Sequence, residues 1–162
     1  MENPTEPIDT NEQKIQRNET IMVCITNQYS CERLILFAKN LCEARNANLL
    51  VTSVLPYKQT NMPEVSKELD HLFLLSTQAG ADLSILYSDS PINALTKLAL
   101  LRKVDFVVTG TSKNRTIGKF HEDLGNALLR TPLLIIDPEG KQLYKSKNEG
   151  KRAQSLKPVV VT

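Results

Sequence analysis

At 162 residues with 41% hydrophobic content, the chain has apolar material for one domain with a sizeable core and no room for a second. Its net charge of +2 is unevenly spread: residues 1–19 carry five acidic and two basic groups, residues 139–162 carry two acidic and six basic, and the body between is near neutral. A near-neutral body with 5% aromatic residues has no basic stripe with stacking platforms, which excludes a nucleic-acid surface. No apolar run approaches the roughly 20 residues of a transmembrane segment, and residues 1–7 lack the basic start and apolar core of a signal peptide. The expected compartment is the cytoplasm. The three cysteines, Cys24, Cys31 and Cys42, have no Cys-x-x-Cys spacing, so neither a disulfide framework nor a zinc knuckle is indicated.

In chain order, residues 1–19 read as a polar tail. Ile21 to Ile25 is a short continuous apolar run, the pattern of a strand buried on both faces, and it opens into the polar turn Thr26-Asn27-Gln28-Tyr29. Ser30 is placed to cap a helix through about Asn46, in which Leu34, Ile35, Phe37, Ala38, Leu41 and Cys42 recur at helical spacing. Cys31, in its first turn, reads as a small, partly buried residue or as a thiol activated by the helix dipole. Leu49 to Leu55 is a second strand closed by Pro56. Residues 63–79 are helical again, with Val65, Leu69, Leu72, Phe73 and Leu75 as the buried stripe and Gly80 as C-cap.

Leu83 to Tyr87 makes the third strand. Asp89-Ser90-Pro91 signals the next helix start, and Ile92, Leu95, Leu98, Ala99 and Leu101 supply its apolar face before Arg102 and Lys103. Val104 to Thr109 is the fourth strand, and Leu133 to Ile136 the fifth, terminated by Asp137-Pro138 ahead of a basic polar tail over 139–162. Strands alternating with helices call for a three-layer α/β domain over 20–138: an open parallel five-stranded sheet with helices on both faces.

The segment between the last two of these strands carries the functional signal. Gly110, Gly118 and Gly125 are three of only six glycines in the chain, and glycine lets backbone N–H groups approach a phosphate closely. Thr111, Ser112, Lys113, Arg115, Thr116 and Lys119 add donors and positive charge, and a helix beginning after Gly125 would turn its N-terminus, with the Asn126 side chain, toward the loop. Thr26 and Asn27, at the end of the first strand, form the opposite rim of the crevice where the order of an open parallel sheet reverses. The alternative is a solvated surface loop.

Several chemistries have no anchor. The chain lacks a P-loop, a dinucleotide-binding Gly-x-Gly-x-x-Gly after the first strand, and a Gly-x-Ser-x-Gly elbow. His71 and His121 have no companion at metal-ligand spacing and read as surface or capping residues, while Asp89 and Asp123 read as helix caps. A non-enzymatic chain without a metal site is the expectation.

The order of elements and the 104–136 segment resemble the universal stress protein superfamily over roughly residues 20–138. That resemblance implies a fold of the adenine nucleotide alpha hydrolase-like type with strand order 3-2-1-4-5. Ile21 to Gln28, Cys31 to Ile35, Gly80 to Leu83 and Tyr87-Ser88-Asp89 are similar to the cytoplasmic stress-protein-like domain of the Kdp potassium-sensor histidine kinases. The chain has none of that kinase's transmembrane, dimerisation or phosphoacceptor segments and reads as a stand-alone relative or a piece of a longer sensor.

ATP-binding stress proteins place an aspartate where this chain has Thr26, a second glycine where it has Lys113, and Gly-Ser or Gly-Thr where it has Gly125-Asn126. The resemblance therefore implies a sensing or docking module with weak affinity for ATP. AMP and cyclic di-AMP are the other ligands it suggests, and a homodimer or a sensor kinase or other signalling protein the partners. A ligand-free interaction module with a degenerate pocket is the competing function, and a slow nucleotide hydrolase lacks the water-positioning and metal carboxylate groups it needs.

Overall fold

A computed structural model describes residues 18–25, 31–58, 62–111 and 117–146. The elements are β1 (Thr20–Ile25), α1 (Cys31–Arg45), β2 (Asn48–Leu55), α2 (Met62–Gln78), β3 (Asp82–Tyr87), α3 (Pro91–Leu101), β4 (Phe106–Gly110), α4 (Lys119–Ala127), β5 (Leu133–Ile136) and β6 (Gln142–Lys145). They form one sheet of order β3-β2-β1-β4-β5-β6, parallel throughout except for the antiparallel β5–β6 pair.

Strand alternation divides the core in two. Ile21, Val23 and Ile25 pack with Leu34, Ile35, Ala38 and Leu72 beneath α1 and α2, whereas Met22 and Cys24 pack with Leu95, Ala99, Leu124 and Leu128 beneath α3 and α4. All five residues from Ile21 to Ile25 are at most 3% exposed, which is why this strand reads as an unbroken apolar run. Phe73, expected in the apolar stripe of α2, is instead 63% exposed. Leu72 and Ser76 take the face toward the sheet, and Phe73 lies a quarter-turn away from it.

Three crossover helices end in the same way. Asn46 (φ 57), Gly80 (φ 69) and Lys103 (φ 53) adopt left-handed backbone, and the next residue's N–H reaches back to the final turn: Ala47 to Cys42, Ala81 to Ser76 and Val104 to Ala99, at 2.8–2.9 Å. Gly80 meets its expected role, while Asn46 and Lys103 show that the motif is set by the need to reverse the chain into a strand. The expected side-chain caps at Asp89 and Asp123 are absent. Ser90 occupies the N-cap of α3 without a capping bond, Asp89 accepts from the Tyr57 N–H (3.3 Å), and Asp123 sits inside α4 facing Lys119 (3.4 Å).

The sheet does not stop at Asp137-Pro138. Residues 137–140 form a tight turn into β6, with Gly140 at φ 88 and its N–H donating to the Asp137 carbonyl. The buried Asp137 carboxylate accepts from the N–H groups of Glu139 (3.0 Å) and Lys141 (2.8 Å), fixing the turn. Replacing it by alanine leaves those donors without their acceptor, so Asp137→Ala should lose about 2 kcal/mol in urea denaturation, with Asp137→Asn retaining most of the stability.

All three cysteines are free and buried. Burial pushes the Cys24 thiol up to about 12 and the Cys42 thiol up to about 11, and burial with the neighbouring Glu32 carboxylate raises Cys31, which removes the basis for an activated thiol there. In the unfolded chain these thiols ionise near 9.0, so above that pH unfolding releases protons that the folded state retains. Stability should therefore fall between about pH 9 and 11, by about 1.4 kcal/mol per pH unit for each such thiol. Urea denaturation at pH 8 and pH 10 measures this, and Cys24→Ala should shrink the loss.

Candidate functional site

The chain leaves β1 for α1 on one face of the sheet and reaches the neighbouring β4 from α3 on the other. The carboxyl ends of β1 and β4, paired through Cys24 and Thr109, thus flank the point where strand order reverses. Thr26, Asn27, Ser112, Lys113 and Arg115, expected to rim this crevice, lie outside the described residues. Gly110, Thr111, Gly118, Gly125 and Asn126 are described.

His121 organises the junction between β4 and α4. The Gly118 N–H donates to its Nδ1 (3.0 Å), so Nδ1 is the acceptor and the proton sits on Nε2, which donates to the Gly110 carbonyl (3.0 Å). One neutral imidazole therefore completes half of a capping box at the start of α4 and ties that start to the end of β4. The capping role read from the sequence is the one it performs. The Thr111 N–H is also committed, to the Ile136 carbonyl (3.0 Å).

The helix start is displaced from the expected position. α4 begins at Lys119 rather than after Gly125, because the apolar residues that seat it are Leu124 and Leu128, four apart across its last turn. Gly125 is buried in the seventh position of the helix, where its N–H belongs to the internal ladder, and Asn126 is exposed near the C-terminal end. Neither stands at a helix N-terminus. The first-turn N–H groups that lack an intrahelical acceptor are those of Lys119, Phe120 and His121, and Gly118 has no side chain to cap them. Anion-binding capacity on α4 accordingly lies at 118–121.

A cavity of about 220 Å³ opens beside these elements, lined by Cys24, Ile25, Thr52, Val54, Pro91, Leu95 and Phe120. The register places Thr52, Cys24 and Thr109 side by side across β2, β1 and β4, a polar row on the α3/α4 face. Thr52 and Thr109 are fully buried, and their hydroxyls have no hydrogen-bond partner among the described residues. Such groups cost about 1–3 kcal/mol each when unpaired. The volume is below the roughly 300–1,000 Å³ of a drug-sized pocket, so it suits a ring rather than a whole nucleotide. A larger space of about 600 Å³ between α1 and α2, lined by Arg33, Leu36, Lys39 and Leu75 among others, is an open groove away from the strand ends.

The sequence reading missed Thr52, Thr109, Pro91 and Phe120. The available signal was a threonine ending an apolar run in each of two strands, Leu-Leu-Val-Thr in the middle of β2 and Val-Val-Thr near the carboxyl end of β4. Chemically the crevice offers hydroxyls, a neutral thiol and a helix N-terminus. The described residues contain no group of three side chains able to hold a metal, and His71 is exposed on α2.

No protein-family model and no curated protein matches the sequence. Solved structures do. A universal stress protein from Archaeoglobus fulgidus superposes with a TM-score of 0.56 at 18% identity, over 78% of this chain and 97% of that one. A universal stress protein in complex with cAMP gives 0.57 at 21% identity, over 75% and 98%. The Archaeoglobus fulgidus universal stress protein in complex with dAMP gives 0.50 at 15% identity, over 75% and 97%. Across nearly the full length of these proteins, the chain has the universal stress protein fold.

Proposed function

We propose that the chain is a non-catalytic regulatory domain of universal stress protein type, which binds an adenine nucleotide at the β1/β4 crevice and passes occupancy to a partner. The observation that supports this reading is the pair of buried hydroxyls of Thr52 and Thr109 that have no partner among the described residues, with Thr52 lining the cavity at the switch point. An adenine ring edge supplies both donors and acceptors for such hydroxyls, and Leu95, Val54, Pro91 and Phe120 supply apolar walls. The adenylate ligands of two proteins of similar fold, cAMP and dAMP, support the same class. The phosphate then extends toward the N-terminus of α4 and Lys119, with Lys113, Arg115, Ser112 and Thr26 assigned to its rim.

A second reading has a specific observation in its favour. The Gly118 and Thr111 N–H groups, two donors of the expected phosphate cradle, are already engaged by His121 and Ile136. This favours weak binding of polyphosphates and an interaction module whose pocket is sparsely occupied. Cyclic di-AMP, suggested by the sequence resemblance, belongs to the first reading as a competing ligand of the same crevice, with a sensor kinase of the Kdp type as the partner, whereas the second reading is ligand-free.

Thermal-shift titration with AMP, cAMP, ATP and cyclic di-AMP tests the reading, since a ligand at a hundredfold its dissociation constant stabilises by about 2.7 kcal/mol. ATP should bind no tighter than micromolar. Thr52→Val should raise the stability of the free domain by about 1 kcal/mol, by removing an unpaired buried hydroxyl, and weaken the preferred adenylate about tenfold. Unchanged binding in that variant would sink the assignment of the cavity.

The loop cations are tested separately. Replacing both Lys113 and Arg115 by alanine should change stability by no more than about 0.5 kcal/mol while weakening an anionic ligand. Binding by the parent should also weaken with added salt. If the double variant matches the parent for every nucleotide, the loop takes no part in recognition.

A further inference from the structure

The chain enters the fold at one end of the groove between α1 and α2. The Asn48 N–H donates to the Glu19 carbonyl (2.7 Å), and the Arg45 guanidinium donates to both oxygens of the Glu19 carboxylate (2.7 and 2.9 Å), so the residues just before β1 are held beneath the carboxyl end of α1. Asn48 also lines a space of about 300 Å³ at the carboxyl ends of α1 and α2, together with Cys42, Ala47 and Gly80. Lys39 and Ala79 line both this lower space and the upper one of about 600 Å³, which makes the two a single groove. Measured along α1 from Arg45 to Arg33, it is about 18 Å long.

Its surface is apolar with a charged rim. Leu36, 55% exposed, Leu75 and Ala79 present the apolar part, while Arg33 and Lys39 stand along the upper half and Glu43 beside the lower. Lys39 reaches Glu43 only at 3.8 Å.

We propose that the occupant of this groove is residues 8–17 of the same chain, laid back along α1 from the point where Glu19 is held. Attachment, reach and pattern select this segment. It is tethered at the mouth, so docking it closes only a short loop. Ile15 stands three positions before Asn18 and Ile8 ten, a reach of at most about 10 and 33 Å, which lets Ile15 fill the lower space and Ile8 the upper. These two are the only aliphatic or aromatic side chains larger than proline in residues 2–17.

The charges agree with this direction. Asp9 and Glu12 lie between the two isoleucines, where Lys39 separates the two spaces and Arg33 stands beyond it, and Arg17 falls at the mouth beside Glu43. Docking in the reverse direction would take Ile8 away from the upper space and set Arg17 against Arg33. The segment thus acts as an intramolecular strap over the apolar surface of Leu36 and Leu75.

Cross-linking tests the placement in the full chain. Ile8→Cys with Leu36→Cys should form an intramolecular disulfide under mild oxidation at least about tenfold faster than Ile8→Cys with Leu101→Cys, whose second thiol lies on α3 across the sheet, because docking raises the effective concentration on one face only. The three native thiols are buried and do not compete. Trypsin should cut after Arg17 about tenfold faster in Leu36→Asp than in the parent, since cleavage follows the population of the undocked segment. Glu12→Lys should speed the same cut, and Glu12→Lys combined with Lys39→Glu should slow it again.

Equal cross-linking rates for the two cysteine pairs would overturn the proposal. So would equal cleavage of the parent and Leu36→Asp, and so would disulfides formed only between chains, which would make a second copy the occupant. Should circular dichroism show Leu36→Asp to be unfolded, the charge exchange between Glu12 and Lys39 decides the matter by the same criterion.

Discussion

Burial of β1 on both faces is the constraint on which the rest of this domain depends. From Ile21 to Ile25 no side chain reaches solvent appreciably, so water cannot satisfy the strand's backbone polar groups, and its neighbours must. β2 and β4 do so in parallel register along either side. Parallel neighbours require crossovers, and the crossovers supply the helices that cover the two faces. Layering, strand order and the location of the crevice are therefore consequences of one apolar pentapeptide held between two partners.

The reversal of strand order beside β1 explains why polar side chains gather where they do. The crossover from β1 runs on one face of the sheet and the crossover into β4 on the other, so the carboxyl ends of β1 and β4 flank the reversal. Thr52, Cys24 and Thr109 lie just inside, on the face where α3 and α4 leave a gap between Pro91, Leu95 and Phe120. Two buried hydroxyls without a partner among the described residues are a local cost that the packed core on either side tolerates. Functional sites commonly sit where local consistency is broken in this manner.

His121 links the fold to the site. Its ring accepts at the start of α4 and donates to the end of β4, so the intervening loop is closed by a fixed clamp rather than by the backbone alone. The clamp also occupies the Gly118 N–H, which turns a glycine-rich segment from an open anion nest into a partly satisfied one. The same economy appears at Thr111. The donors that the loop's composition offers and the donors that its hydrogen bonds leave free are thus different sets, and recognition depends on the second.

Much of the architecture was legible because it rests on local pattern. Apolar runs of strand length, helical spacing in 31–45 and 62–78, Pro91 at a helix start and Gly80 at a helix end each report the environment of their own few residues. The four parallel pairings follow from alternation of those elements. β6 escaped notice because only Leu143 and Tyr144 of its four residues are even half-buried and Asp137-Pro138 reads as a stop, although Asp-Pro-Glu-Gly also carries the composition of a turn that returns the chain. The start of α4 was misplaced for a related reason: glycine marks helix boundaries in general, yet Gly125 is buried within this helix and only Leu124 and Leu128 reveal which residues it seats.

The sequence by itself determined the alternating α/β plan, the strand buried on both faces and the point at which strand order reverses, since these depend on hydrophobic period and chain direction. Only the tertiary structure decided which side chains meet there. Thr52 and Thr109 are 57 positions apart and become neighbours of Cys24 through strand register alone. Whether a hydroxyl, an imidazole or a backbone N–H is free or already bonded is likewise fixed by partners distant in the chain, because burial withdraws the water that would otherwise satisfy any of them.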